Sequence, residues 1–168
     1  MKKKLVLIVV AVMSLAICFV PFKEALVIEH ENSNKVIGYA FMEGQTSFQI
    51  KYTHSIHLSD VIETYEITNQ NELKQTELQY EDFAIGMPSD STEGATFVEE
   101  DGRYYLKDMN RVFPFIDLRI GQVVANHTLL YENRKIPFSS FVQKGNWIRI
   151  DYKHVSLWDI VKGVNVLG

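Results

Sequence analysis

Apolar and polar residues alternate with period two along most of the chain beyond residue 24, and turn-forming residues interrupt the alternation about every ten residues. The alternation predicts strands near Ala25–Glu29, Lys35–Met42, Ser47–Ser55, Val61–Asn69 and Leu73–Tyr80. It predicts further strands near Thr96–Glu100, Arg103–Lys107, Ile116–Ile120, His127–Glu132, Lys135–Phe141 and Trp147–His154. Asp101-Gly102 marks a two-residue hairpin turn, and Asn133-Arg134 marks a second that would set Glu132 opposite Lys135. In Trp147–Lys153, Ile148, Ile150 and Tyr152 should point inward while Arg149, Asp151 and Lys153 face solvent. Ser156 followed by Asp159 reads as the capped start of a short helix from Leu157 to about Lys162. Many short strands with no repeat and no linker predict one all-β domain, an antiparallel sandwich or a partly open barrel.

A different pattern precedes the strands. Lys2-Lys3-Lys4 leads into an apolar run from Leu5 to Phe22, broken only by Ser14 and Pro21. Basic residues stay on the cytoplasmic side of a membrane, so this order predicts a cell-membrane protein whose domain lies outside the cytoplasm. The run is short for a bilayer span but long for a signal-peptide core, and no Ala-x-Ala site follows it. The reading is therefore a transmembrane or signal helix over residues 1–23, favoured as an uncleaved anchor over a cleaved signal peptide, and one extracytoplasmic domain over residues 24–168. Cys18 is the only cysteine. Ile17 before it is too large for a lipoprotein signal, so Cys18 reads as an apolar filler of the run. The exported part has no disulfides and must rely on its core.

Composition narrows the class further. The 168 residues are 46% hydrophobic and 23% charged, ordinary values for a globular chain able to build a core. The formal net charge is −4, and without the three positive charges of Lys2–Lys4 the remainder carries −7. A body this acidic does not suit a phosphate backbone, which excludes nucleic acid as a partner.

Candidate chemistry concentrates in Tyr52-Thr53-His54-Ser55-Ile56-His57-Leu58-Ser59-Asp60-Val61-Ile62-Glu63-Thr64-Tyr65-Glu66. Pairing Ile56 with Val61 would match Tyr52 with Tyr65, Thr53 with Thr64, Lys51 with Glu66 and Ile50 with Ile67. Ile50, Tyr52, His54, Ile56, Val61, Glu63, Tyr65 and Ile67 then share the core face, and His54 meets Glu63 there. A buried carboxylate needs such a partner, so the pair reads either as a register lock or as part of a site. A mouth lined by Tyr52, Tyr65, His54 and Glu63 would suit a small solute. The runner-up is a metal- or small-ligand-binding envelope protein, its metal ligands drawn from His54, His57, Glu63 and His127, although the established zinc spacings are absent.

Other signatures are missing. Ser55 and His54 are adjacent on a strand and point to opposite faces, and there is no Gly-x-Ser-x-Gly elbow. The acidic group Asp90, Glu93, Glu99, Glu100 and Asp101 lacks the calcium-loop spacing, and no phosphate-binding glycine loop or dinucleotide fingerprint is present. The sequence carries no catalytic signature and calls for no cofactor.

An aromatic-x-His-Ser start, a turn and then Val-x-Glu-x-Tyr resembles an uncharacterised bacterial family, domain of unknown function eighteen-fifty. Tyr52, His54, Ser55, Val61, Glu63 and Tyr65 carry the likeness. The family's Gly-Ala-Gly-x-Pro block is matched in part by Ala84-Ile85-Gly86-Met87-Pro88, with Ala84 in place of the first glycine. Leu118–Gly121 followed by His127-Thr128-Leu129, and then Ile136-Pro137-Phe138, resemble its later blocks. The resemblance implies a small exported or membrane-anchored protein, encoded beside tripartite transporters of the TRAP type with TAXI-class binding proteins. It thus implies an accessory role in solute uptake, with TRAP transporter subunits as partners, and no known reaction. Contact would fall on His54, Glu63, Tyr52, Tyr65 and Ser55, with the Gly86–Pro88 turn at a rim.

Overall fold

The computed structural model of the chain describes residues 2–31, 33–42, 44–81 and 94–168. Its elements, in order, are α1 (Lys2–Ile17), β1 (Lys23–His30), β2 (Lys35–Ala40), β3 (Ser47–Thr53), β4 (Asp60–Ile67), β5 (Leu73–Tyr80), β6 (Thr96–Glu100) and β7 (Arg103–Lys107). There follow β8 (Arg111–Phe113), β9 (Ile116–Arg119), β10 (Thr128–Tyr131), β11 (Arg134–Pro137), a 3₁₀ turn (Phe138–Ser140), β12 (Trp147–Val155), α2 (Leu157–Lys162) and β13 (Val164–Asn165). One sheet has the order β13-β2-β1-β12-β9. The other runs β11-β10-β3-β4-β5-β7-β6, with β8 also on β5. Pairing is antiparallel throughout the described residues except for β13, which lies parallel to β2.

The two sheets close on each other as a sandwich, and neither closes into a barrel. Leu26, Ile28, Ile148 and Ile150 of the first sheet meet Phe48, Ile50, Leu73 and Leu129 of the second in one cluster. Each is almost wholly buried. A side chain fully removed from water contributes roughly 1.5–3 kcal/mol, so a cluster of this size holds the sandwich without a disulfide. A second cluster of Val61, Leu78, Tyr80, Leu106 and Met109 extends the second sheet's inner face. β1 is buried from Ala25 through Glu29, because its far face carries a third cluster with Val36, Tyr39 and Val155.

The alternation located every described strand except β8 and β13, which it missed, and tertiary packing moved several boundaries. Glu100 pairs with Arg103 across Asp101-Gly102, and both turn residues have positive φ (52° and 72°), as a twisted two-residue hairpin requires. The second turn is displaced: Tyr131 pairs with Arg134 and Leu130 with Lys135, so Glu132 and Asn133 form the turn and Glu132 does not face Lys135. The strand expected to reach Phe141 stops at Pro137, whose ring nitrogen cannot donate to a ladder. The next N–H, of Phe138, donates to the His127 carbonyl at 2.9 Å and carries the Phe138 ring into the core. In β5 a bulge between the partners of Thr64 and Tyr65 switches the inward face, so both Leu73 and Tyr80 point inward although seven residues apart. Arg149, Asp151 and Lys153 are half-buried rather than free in solvent, because Arg149 pairs with Asp117 and Lys153 pairs with both Glu29 and Asp151 on the outer face.

Ser156 caps α2 as expected. Its hydroxyl accepts from the Asp159 N–H at 3.3 Å, and the Asp159 carboxylate accepts from the Ser156 N–H at 2.9 Å. α1 buries none of its residues against the sandwich. Among the described residues no helix is long and apolar enough to cross a membrane.

Candidate functional site

The hairpin of β3 and β4 forms in a register that differs from the sequence expectation. Thr53 pairs with Asp60, Tyr52 with Val61, Ile50 with Glu63 and Phe48 with Tyr65. Relative to the expected pairing each residue meets a partner four positions earlier. The displacement is even, so every face assignment on the two strands survives. Two contacts account for the choice. The Phe48 and Tyr65 rings stack at 5.4 Å, and Lys51 forms its ion pair with Asp60 rather than Glu66. The loop between the strands is correspondingly longer and spans residues 54–59.

This register removes His54 from the strand and from Glu63. The His54 N–H donates to the Ser59 carbonyl at 2.8 Å, and the His54 carbonyl accepts from the Leu58 N–H at 3.0 Å. Its Nδ1 accepts from the Ile56 N–H at 3.4 Å. His54 thus ties together the backbone of its own loop, with the His57 ring 5.7 Å away. The expected His54–Glu63 pair does not form.

Glu63 is satisfied in another way. It lies on the inner face between Ile50 and Leu78 of the flanking strands. Its Oε2 accepts from the Tyr65 hydroxyl at 2.8 Å, two residues along the same face. Burial raises its carboxyl above the usual range, and the Tyr65 hydrogen bond opposes that shift only in part. Burial and the neighbouring Glu63 charge push Tyr52 up to about 12. They raise Tyr65 as well. Tyr52 in turn packs its ring on His127 at 5.2 Å. His127 is 8% exposed, its Nδ1 has no hydrogen-bond partner among the described residues, and burial lowers its pKa so that the ring is held neutral. Tyr52, Glu63, Tyr65 and His127 therefore form a polar seam in which Tyr65 and His127 are buried and Tyr52 and Glu63 half-buried. Tyr65 is only 4% exposed and belongs to the core, whereas Tyr52, His54 and Glu63 of the expected mouth are half-buried.

The open feature lies beside the seam. A cleft of about 360 Å³ is lined by Ser55, Arg119, Ile120, His127 and the loop of residues 121–125. Among the described residues no three His, Cys, Asp or Glu side chains converge as a metal would need. His54, His57, Glu63 and His127 thus provide no such set. Gly86 and Pro88 lie outside the described residues. The structure adds residues to which the sequence assigned no site role: Arg119, Gly121 and Val123 beside the cleft, and Leu58 in the 54–59 loop. An apolar Val123-Val124 pair between Gly121 and Asn126 is the one sequence signal that marked this loop.

The two ends of the sandwich differ. Antiparallel pairing sets Lys23 beside Val155 at the end where α1 joins, and His30 beside Ile148 at the other. Arg119 pairs with Trp147 at that other end and shares the cleft with Ser55. The 54–59 tip and the cleft therefore lie away from α1, roughly 26 Å along an eight-residue strand.

The state of Glu63 has a measurable consequence. Because its folded pKa is raised, the fold favours the protonated acid. That contribution is fully present below the unfolded value of about 4.3 and is lost as pH rises through the raised folded value. At neutral pH Glu63→Gln, which keeps an acceptor for Tyr65, should therefore stabilise the protein by about 1 kcal/mol, or 2–4 °C in Tm. Melting curves from pH 7 down to pH 4 should show the gap closing. A gap independent of pH would contradict this account of Glu63.

A family model described as Domain of unknown function (DUF1850) matches residues 48–138, from β3 to the first residue of the 3₁₀ turn. No curated protein matches the chain, and no solved structure matches it.

Proposed function

The chain belongs to the DUF1850 family, and from that premise we propose that it is a membrane-anchored, extracytoplasmic accessory protein that binds a partner through the tip of its 54–59 loop. One observation carries the reading. Leu58 is 66% exposed and sits at φ 56°, the left-handed region that a branched apolar side chain rarely adopts. Among the described residues the other non-glycine positions with positive φ are Glu, Asn and Asp. Beside it Ile56 is equally exposed, and Val123 across the cleft is 89% exposed. A strained backbone that presents apolar side chains to water is opposed by both local and solvation energy, and such outliers concentrate at binding sites.

The anchor reading rests on α1. It starts with three lysines, and Leu5, Leu7, Met13 and Leu15 are each more than 60% exposed. Its 16 residues span about 24 Å, the apolar run continues through Phe22, and terminal lysines can reach to a headgroup level. An apolar helix that buries none of its residues against the described part of its own domain suits lipid. Because the sequence resemblance implies a place beside TRAP-type transporters, a transporter subunit is the partner to test. The second reading, a small-ligand protein, is favoured by the cleft beside His127, whose Nδ1 has no partner among the described residues.

Leu58→Gly separates binding from folding. Glycine accepts the left-handed conformation without strain, so stability should hold or rise by up to about 1 kcal/mol. Loss of the exposed side chain should lower recovery of the transporter subunit with the tagged full-length protein by about tenfold or more. Undiminished recovery with Leu58→Gly would sink the tip as the binding surface.

A further inference from the structure

Leu157, Trp158 and Val161 share one face of α2, and Ile160, turned away from Trp158 and Val161, packs toward the cluster of Ala25, Val27, Val36 and Val155. Leu157 and Trp158 are over 40% exposed and Val161 is 80% exposed. α2 is not a loose tail. The Trp158 N–H donates to the Cys18 carbonyl at 3.0 Å, the Phe19 and Trp158 rings meet at 5.4 Å, and the Phe22 N–H donates to the Val155 carbonyl at 3.0 Å. The exposed face of α2 is thereby continuous with Phe19, Val20 and Phe22, each 55% exposed, where the chain leaves α1.

The charges around this face fit a lipid headgroup region. Lys162 Nζ lies 4.5 Å above the Trp158 ring, and Lys23 Nζ lies 3.9 Å above Phe41 at the start of β1. The nearby acids are engaged within the fold: Asp159 in the helix cap, Glu24 with His154 and Tyr152. A tryptophan with an apolar body and a polar N–H, flanked by lysines beside an apolar helix, matches the water–hydrocarbon boundary.

We infer that α2 is a membrane seat: it lies on the outer surface of the same bilayer that takes α1, with Leu157, Trp158 and Val161 at the boundary between headgroups and acyl chains. This rests on the anchor reading and extends it. A single helix would leave the sandwich free to tilt. A second contact fixes its axis, so that the 54–59 tip faces away from the bilayer.

The test uses the full-length protein in vesicles of phosphatidylcholine and phosphatidylglycerol, with the phosphatidylcholine brominated near the headgroup end of its acyl chains. Trp147→Phe leaves Trp158 as the only tryptophan, and its fluorescence should fall about twofold or more relative to unbrominated vesicles. Trp158→Phe leaves Trp147, at the far end of β12, and bromination should not affect it. Val161→Glu in the Trp147→Phe background should weaken the quenching while the protein still floats with the vesicles. Flotation with an unquenched Trp158 overturns the seat and leaves the anchor standing, which also covers a face reserved for a protein partner. Failure to float overturns both.

Discussion

Lys153→Met is expected to lower the stability of the fold by about 3 kcal/mol, or roughly 6–12 °C in Tm. Its partner Glu29 is 2% exposed on β1, a strand with neighbours on both edges and apolar clusters on both faces. The Lys153 ammonium is the cation that pairs with it. Arg149 stands opposite Glu29 in the ladder but is bound to Asp117 by two hydrogen bonds of 2.8 Å and stacks 3.4 Å above Phe115. Removing the lysine leaves a charge in low dielectric, the case that destabilises most. Lys153 itself remains 36% exposed, which places the effect at the lower end of the range for broken buried pairs. Replacing both residues by methionine should recover most of the loss, because no uncompensated charge remains. Thermal melts of the full-length protein in detergent decide it. A double variant as unstable as the single one would show that packing by the lysine stem, not the pairing of Glu29, is what matters.

Gly121→Ala should cost about 2–3 kcal/mol and open the cleft. A Cβ at this position would lie 1.8 Å from the Ala125 carbonyl oxygen and 2.5 Å from its carbon. These are backbone atoms, held by a loop in which the Asn126 N–H donates to the Val124 carbonyl at 2.8 Å. The loop must therefore move as a unit, taking with it the wall that faces Ser55 and His127. Ala125→Gly should not rescue the variant, since it relieves only the 2.8 Å side-chain contact. Calorimetry gives the stability change, and hydrogen exchange in residues 121–126 gives the displacement. A Gly121→Ala protein that melts with the wild type would mean that the loop yields freely and does not shape the cleft.

Both substitutions act on features that period-two reading passes over. Lys153 reads as a solvent-facing residue of an alternating strand, and it became half-buried because β1 is covered on its outer face. Gly121 has no role in the sequence reading beyond closing the Leu118–Gly121 block, and its constraint comes from space rather than from a positive φ. The candidate site was legible in part. The inward face of β3 and β4, and with it the burial of Tyr52, Glu63 and Tyr65, followed from alternation alone. The partner of Glu63 did not. Two registers four residues apart satisfied the same alternation; the expected one matched more like pairs, and the Phe48–Tyr65 stack and the Lys51–Asp60 ion pair go with the other.

Local chemistry was decided by the sequence itself. Asp101-Gly102 specified its turn, Ser156 and Asp159 specified the start of α2, and the lysine-led apolar run specified α1, because each depends on residues within one turn of each other. Alternation likewise set which side of most strands is apolar, since that needs only the geometry of a single strand. The tertiary structure decided everything that depends on what lies across the gap: the strand register, the bulge in β5, the end of β11 at Pro137, the pairing of Glu29, and the meeting of Ser55 with a loop seventy residues away at the cleft. These are choices between arrangements of nearly equal local energy, and only packing between distant segments separates them.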